Sequence, residues 1–143
     1  MLKLMYITNS PEVASIADGA GVDRIFIDLE QYGKEKRQKN WDSVKSKHSI
    51  SDIPKVKSAV KNAQIFVRTD PIFDGFSDEL EGVLACEPDV VMLPYFKTVR
   101  EVETFIKAVD GRATTSLLLE TRGAAEQIDD IISVGGIDEI HIG

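Results

Sequence analysis

Charged side chains follow several apolar segments directly, at positions where the ends of strands would present them. Arg68 follows the run AQIFV, and Glu120 follows SLLL. A carboxylate at the rim of an apolar core suits Mg²⁺, which takes one or two protein carboxylates plus water and substrate oxygens. A guanidinium in that setting can hold a substrate carboxylate through two parallel hydrogen bonds. The simpler alternatives are a helix-capping or surface acid for Glu120, and for Arg68 a structural ion pair with Asp28, Glu30 or Glu120.

Two further acids, Asp28 and Glu30, lie at the end of the segment DRIFIDLE. Because only Leu29 separates them, they point to the same side of an extended strand. Solvation of a strand end is the simpler explanation for both. The sequence has two histidines, His48 and His141, and either could act as a general base or have a purely structural role.

Residues 31–50 form a long connection with little periodic patterning, and such connections are often functional in compact domains. Its basic side chains are typical of a solvated surface, with an electropositive lid over an anionic substrate as the alternative. Trp41 is expected to anchor this connection or to form a subunit contact. The basic residues are Lys34, Lys36, Arg37, Lys39, Lys45 and Lys47.

The elements that would position these residues alternate along the whole chain. Six apolar segments predict strands, and amphipathic segments between them predict five helices, of which the last covers residues 123–134. The strands are apolar almost throughout, which is typical of a parallel sheet covered on both faces. An open doubly wound sheet and a (β/α)₈ barrel share this α/β pattern. The strands are predicted near residues 2–7, 23–29, 63–68, 89–93, 113–119 and 137–142.

Length and composition exclude several classes of protein. The 143 residues include 17 basic and 24 acidic side chains, which give a net charge of −7 and disfavour nucleic-acid binding. No run of about 18 apolar residues predicts a membrane span, and the N-terminal segment does not resemble a secretory signal. The single cysteine, Cys86, fits a reducing compartment, so we expect a cytoplasmic protein and a structural thiol. Gly19-Ala20-Gly21 would end a helix rather than open one, so it does not indicate a dinucleotide site.

Four segments resemble the HpcH/HpaI aldolase and citrate lyase β-chain family of the phosphoenolpyruvate/pyruvate barrel superfamily. They resemble, in order, the family's second strand, its substrate-arginine strand, its "D-x-V-x-L-P-K" strand and its "I-E-T-x-x-G" segment. Their order and spacing match along essentially the whole chain. The segments are GVDRIFIDLE, IFVRTDP, PDVVMLPYFKTVREVE and SLLLETRGAAEQID.

The resemblance implies a (β/α)₈ TIM barrel, here one incomplete domain over residues 1–143 that is truncated after the sixth strand. It implies an aldolase-type lyase that uses Mg²⁺ or Mn²⁺ to act on a 2-oxo acid or related carboxylated substrate through an enolate. Glu120 matches the metal ligand, Arg68 the substrate-carboxylate arginine, and Glu30 the acid of the second strand. A homo-oligomer is expected, without nucleic-acid or membrane partners.

Departures from the family pattern leave alternatives open. The second metal ligand, an aspartate, is expected beyond Gly143, so activity of these 143 residues alone is not expected. Gln31 stands where the aldolase branch has a histidine and the thioester-lyase branch an acid, so His48 is an alternative base. Tyr95 replaces the usual lysine. The alternatives are a CoA-thioester lyase whose basic loop binds the CoA phosphates, and a non-catalytic barrel relative that acts as a binding or assembly subunit.

Overall fold

A computed structural model describes residues 2–31 and 47–143 of the chain. Its six strands form one parallel sheet in which the spatial order equals the order in the sequence. Each strand lies within its predicted segment, and the first is the most shortened. The strands are β1 (Met5–Ile7), β2 (Arg24–Asp28), β3 (Gln64–Arg68), β4 (Val90–Leu93), β5 (Thr114–Leu119) and β6 (Glu139–Ile142).

Six helices in the described ranges connect these strands. Local capping explains where several begin: the Ser10 side chain accepts a hydrogen bond from the Val13 N–H, and Thr98 and Glu101 form a reciprocal capping box. No helix in the described ranges has the length and apolar character needed to cross a membrane. The helices are α1 (Pro11–Gly19), α2 (Asp52–Ala59), α3 (Phe76–Leu84), α4 (Val99–Val109), α5 (Arg122–Glu126) and α6 (Ile128–Ile132).

The prediction of one continuous helix over residues 123–134 is wrong, because α5 and α6 are separate five-residue helices. Gln127 lies between them with φ −114° and ψ 18°, outside the helical region. Its side-chain Nε2 donates to the carbonyl oxygens of Lys97 and Gly123 at 3.0 and 3.1 Å. This tertiary hydrogen bonding accompanies the break, and periodicity in the sequence does not reveal it.

The sheet curls around an interior. Arg24 on β2 forms an ion pair with Glu139 on β6, and the rings of Phe66 and His141 lie 5.6 Å apart. In a flat sheet, β2 and β6 would be about 19 Å apart, since neighbouring strands are about 4.8 Å apart. Direct contact therefore requires strong curvature. The α/β class and the barrel-type arrangement of six strands are confirmed.

The curvature divides the apolar core into two layers. A large outer layer packs the helices against the convex face of the sheet and includes the fully buried Ile25, Val67 and Leu117. A smaller inner cluster contains Phe66, Val90 and Met92, with Phe26 and Leu118 packed against it. A filled interior inside a ring of helices is how a barrel of this kind supports a site at one end.

The first and last strands carry exposed apolar side chains, as expected for the two edges of the sheet. Tyr6 and Ile7 on β1 are 48% and 52% exposed, and Ile142 on β6 is 86% exposed. Among the described residues, β1 pairs with β2 alone and β6 with β5 alone. The strands between them are mostly buried.

Candidate functional site

The predicted site residues meet at the carboxyl ends of the strands, where parallel α/β folds bind ligands. Asp28 and Arg68 are the last residues of β2 and β3 and are register partners in the sheet. Glu30 follows β2 by two residues, and Glu120 directly follows β5. Here we call this edge the rim.

At the rim, Arg68 is held by two carboxylates. Its Nε and Nη2 donate to Oδ1 and Oδ2 of Asp28, both at 2.9 Å, and its Nη1 lies 3.3 Å from Glu30 Oε2. The guanidinium also lies over the ring of Phe26, 5.5 Å from the centroid. The structural ion pair that the sequence left open is therefore present.

The environment keeps Arg68 firmly charged. Burial alone would lower the pKa of Arg68, but its hydrogen bonds to Asp28 and the charges of Asp28, Glu30 and Glu120 raise it above its ordinary value. The contacts with Asp28 and Glu30 use three of the five guanidinium N–H groups. Two N–H groups remain for a ligand, and 18% of the side chain is exposed.

Glu30 is buried beside the arginine, with 5% of its side chain exposed. Its backbone N–H donates to Asp28 Oδ1 at 3.1 Å, which ties the turn after β2 to the same carboxylate that holds Arg68. The prediction that Asp28 and Glu30 point to the same side agrees with their shared contact with Arg68. Among these rim carboxylates, Glu30 is more deeply buried than Glu120, which is exposed.

Glu120, directly after β5, is exposed to solvent at the rim. Its Oε1 accepts a hydrogen bond of 3.0 Å from the backbone N–H of Tyr95, which follows β4. Tyr95 has a positive φ of 50°, an uncommon conformation for an aromatic residue. The ends of β4 and β5 are thus joined through the predicted metal ligand.

His48 lies against the edge of β2, at the same end of the sheet. Its side chain is 2% exposed, and its Nδ1 accepts a hydrogen bond of 2.9 Å from the backbone N–H of Asp28. This contact assigns the imidazole proton to Nε2 when the ring is neutral. His48 and Arg68 therefore both contact Asp28. The role of His48 as a base stays a prediction.

Asp70 and Glu79 also contribute to the rim, and neither is among the site residues predicted from the sequence. Asp70 Oδ1 accepts from the Gln31 backbone N–H at 2.6 Å, and the Asp70 N–H donates to Glu79 Oε1 at 3.1 Å. Burial raises the pKa of Glu79 to about 7, and the Asp70 charge adds to this against the lowering effect of the hydrogen bond. Asp70 lies two residues after the end of β3, and this position in the sequence is a signal that it belongs to the rim. Glu79 lies on α3, nine residues after Asp70, and follows no strand, so its position carries no such signal.

The other predicted residues lie elsewhere or outside the described ranges. His141 is inside the barrel, with its Nε2 3.7 Å from Glu139 Oε2, rather than at the rim. Cys86 is half-buried, and its Sγ donates to the Gly82 carbonyl, in line with a structural thiol. Lys47 is exposed. The predictions for Trp41 and for Lys34, Lys36, Arg37, Lys39 and Lys45 concern residues outside the described part of the chain.

Of the described rim residues, Glu120 has the chemistry expected for a single protein ligand of a hard divalent cation. Across residues 2–31 and 47–143, no three His, Cys, Asp or Glu side chains are grouped as a metal centre. Glu120 nevertheless supplies an exposed carboxylate with one oxygen already hydrogen-bonded, as is usual for ligating carboxylates. Mg²⁺ commonly takes only one or two carboxylates and leaves the remaining positions to water and substrate.

The fold and the rim together define a (β/α)-barrel protein whose charged groups converge at the carboxyl ends of its strands. The family model for HpcH/HpaI aldolase/citrate lyase matches residues 3–143, and the chain belongs to this family. The resemblance seen in the four sequence segments is confirmed.

Solved structures share the fold at low sequence identity. An HpcH/HpaI aldolase/citrate lyase family protein from Burkholderia cenocepacia J2315 is 12% identical, with a TM-score of 0.77 over 99% of this chain and 63% of that one. Citrate synthase SbnG is 16% identical, with a TM-score of 0.72 over 99% and 60% of the two chains. The aldolase QR15 is 16% identical, with a TM-score of 0.65 over 99% and 68%.

The chain thus spans less than two thirds of the length of the first two of these structures. None of the curated proteins matches it.

Proposed function

We propose that the protein is a divalent-metal-dependent carbon–carbon lyase of the aldolase type, acting on a 2-oxo acid or a related carboxylated substrate through an enolate. The observation that carries this proposal is the convergence of Arg68 and Glu120 on one rim. Membership of the HpcH/HpaI family supports it, and so do structural neighbours that include an aldolase and a citrate synthase.

The charge balance of the rim favours a cation as part of the site. At the described rim, Arg68 forms ion pairs with Asp28 and Glu30, and Asp70 and Glu120 add two further carboxylates. Arg122, two residues after Glu120, is exposed and pairs with Glu126. The four carboxylates would repel an anionic substrate, and a bound cation would offset that repulsion. Glu120 would hold Mg²⁺ or Mn²⁺, which when bound supplies Lewis-acid stabilisation of developing negative charge.

Arg68 would bind the substrate carboxylate through its two remaining N–H groups. Asp28 fixes the plane of the guanidinium through two hydrogen bonds, so that little side-chain freedom is lost on binding. Glu30 lies beside Nη1 of Arg68, so it would compete with the substrate carboxylate for this nitrogen or restrict the direction from which that carboxylate approaches. The inner cluster below the rim, with Phe26 under Arg68, keeps water away from one side of this contact.

Proton transfer is proposed for one of two groups near Arg68. Glu30 is buried at the guanidinium, and His48 Nδ1 accepts a hydrogen bond from the backbone N–H of Asp28. Both lie at the strand end that leads into the rim. Their separate contributions can be measured with Glu30→Gln and His48→Gln.

A non-catalytic role is the second candidate, and one observation favours it. Gln31 occupies the position next to Glu30 where the resemblance leads us to expect a histidine or an acid, and its backbone N–H is bound by Asp70. A barrel without its base would bind a carboxylated ligand but not turn it over. The CoA-thioester alternative relies on basic residues that, apart from Lys47, lie outside the described ranges.

The test is release of pyruvate from a 4-hydroxy-2-oxo acid by the full-length protein with Mg²⁺ or Mn²⁺. Glu120→Gln should lower the rate by at least about 100-fold, since changes even to residues that support metal ligands cost 10- to 100-fold. Glu103→Gln, an exposed carboxylate on α4, is the matched control and should behave as wild type. Equal rates for Glu120→Gln and wild type would contradict the metal assignment. Metal-stimulated binding without turnover would favour the non-catalytic alternative.

A further inference from the structure

Tyr95 has a backbone conformation that bulky L-residues rarely adopt. In the described ranges, three residues other than glycine have positive φ: Glu87, Tyr95 and Asp110. Asp110 caps the end of α4, and Glu87 lies in the turn after α3, where short or polar residues in this conformation are common. Tyr95 differs because it is aromatic and lies at the rim. Strained backbone at such a place indicates a functional constraint.

In this conformation, the backbone of Tyr95 forms a hydrogen bond to the predicted metal ligand. Its N–H donates to Glu120 Oε1 at 3.0 Å. The other carboxylate oxygen, Oε2, has no hydrogen-bond partner among the residues that the structure describes. One oxygen of an exposed glutamate is therefore fixed while the other stays open to solvent.

The turn after β4 is held in this conformation from both sides. The Thr121 hydroxyl, directly after Glu120, donates to the Phe96 carbonyl at 2.6 Å, and the Phe96 side chain is buried. Glu101 Oε2 accepts from the Lys97 N–H at 2.8 Å. These contacts fix the two residues that follow Tyr95, and the Thr121 contact links the turn after β4 to the turn that carries Glu120.

We propose that Tyr95 is a positioning residue, whose left-handed backbone orients Glu120 so that its free oxygen faces a bound divalent cation. This inference rests on the metal-dependent function proposed above. Its physical reason is that a glutamate side chain held in one rotamer loses less conformational freedom when it binds a cation. The proposed role depends on the backbone of Tyr95 and not on its side chain. Variants at this position should therefore keep the role only if the new residue tolerates positive φ.

The hydrogen bond itself is tested without metal. Hydrogen exchange at the Tyr95 amide is measured by NMR in the 143-residue chain and in Glu120→Ala. Loss of the acceptor should make this amide exchange about tenfold faster, because the hydrogen bond to Glu120 no longer protects it. The amides of β4 should keep their rates. An unchanged Tyr95 rate in Glu120→Ala would overturn the inference.

The consequence is tested by Mn²⁺ titration of the full-length protein followed by electron paramagnetic resonance, which does not depend on turnover. Tyr95→Val should weaken Mn²⁺ binding by about tenfold, because a β-branched residue disfavours positive φ. Tyr95→Gly and Tyr95→Asn, which tolerate positive φ, should retain wild-type affinity. Asp110→Val is the matched control, since it introduces the same backbone conflict at the far end of α4.

The two proposals fail in different ways. If Glu120→Gln loses Mn²⁺ binding while Tyr95→Val keeps it, the positioning role is wrong and the metal-dependent function stands. If Tyr95→Val and Asp110→Val weaken binding equally, the effect is general destabilisation and the positioning role is again wrong. If wild type and Glu120→Gln bind Mn²⁺ equally, the metal assignment is wrong, and the cation role of Tyr95 is wrong with it.

Discussion

Arg24 on β2 and Glu139 on β6 form an ion pair with two hydrogen bonds across the interior of the barrel. Arg24 Nη1 lies 2.7 Å from Glu139 Oε2, and Nη2 lies 2.5 Å from Oε1. Gln64 accepts from Arg24 Nε, and the guanidinium lies over the Phe66 ring. The pair joins strands that are four positions apart in the sheet. It therefore helps to set the curvature that brings the ends of β2, β3 and β5 to a common rim.

Replacing Arg24 with methionine should destabilise the fold. The carboxylate of Glu139 would remain partly buried, with 28% of its side chain exposed, and without its main partner. Loss of one member of a buried pair commonly costs 3 to 5 kcal/mol, and the partial exposure of Glu139 reduces our expectation to about 2 kcal/mol. The measurement is urea unfolding, with a lower midpoint at unchanged slope.

Two further variants test whether the Arg24 effect comes from the pair. Arg24→Met combined with Glu139→Met should recover part of the loss, because no charge is then left unpaired in the interior. Arg112→Met breaks an exposed two-bond pair with Glu81 and should shift the midpoint little. A shift for Arg112→Met as large as that for Arg24→Met would contradict a special role for the interior pair.

Arg68→Lys should impair substrate recognition while the fold is largely kept. A lysine ammonium cannot make the paired hydrogen bonds through which Nε and Nη2 hold Asp28, nor present two further N–H groups in a plane. Loss of a hydrogen bond to a charged group costs about 2 kcal/mol, which predicts a fall of about 30-fold in kcat/KM, mainly through KM.

The control for Arg68→Lys is Arg122→Lys, at an exposed arginine on α5 whose partner is Glu126. It should leave KM unchanged. If Arg68→Lys also leaves KM unchanged and lowers only the unfolding midpoint, Arg68 is a structural residue and the substrate assignment is wrong.

Much of the fold follows from local patterns in the sequence. Apolar runs mark each strand because both faces of the sheet are covered, and Ser10 and Thr98 mark helix starts through their side-chain caps. The division of the predicted fifth helix was missed because it accompanies hydrogen bonds from Gln127 to a distant turn. Periodicity within a segment contains no information about such tertiary partners.

The sequence predicts which charged residues belong to the candidate site, but it does not predict the hydrogen bonds that these residues form. Arg68 and Glu120 stand directly after apolar strands, so their placement at the rim follows from topology. The contact of His48 with the Asp28 backbone and of Glu120 with the Tyr95 backbone involves N–H groups, which every residue except proline carries. Backbone donors leave no mark in the sequence, so these contacts required the structure.

Asp52 should stabilise the fold down to low pH. Burial would raise its pKa, but hydrogen bonds from Asn9, Ser49 and Lys55 outweigh burial and lower the pKa from 3.8 to about 2. A lowered pKa in the folded state contributes stability above the unfolded value, and this stability is lost as pH falls from about 4 to about 2. Asp52→Asn should reduce stability at pH 7 by about 1 to 2 kcal/mol and much less at pH 2. A pH-independent difference from wild type in urea unfolding would contradict this assignment.

Glu79 should have the opposite effect, in a higher pH range. Its Oε1 accepts from the Asp70 N–H, whereas its buried Oε2 has no hydrogen-bond partner among the described residues. Burial raises the pKa of Glu79 from 4.5 to about 7. The folded state therefore binds this proton more tightly than the unfolded state does. Stability falls as pH rises from about 4.5 to about 7, and the loss is complete above that range.

Glu79→Gln should remove this loss, because the amide keeps an oxygen acceptor for the Asp70 N–H and carries no charge to bury. We expect the variant to be about 1 to 2 kcal/mol more stable than wild type at pH 8 and no more stable at pH 4. Urea unfolding at several pH values measures both, and the exposed Glu103→Gln should follow wild type throughout. A gain of equal size at pH 4 and pH 8 would show that the amide improves packing or hydrogen bonding, and that ionisation of Glu79 does not limit the stability of the rim.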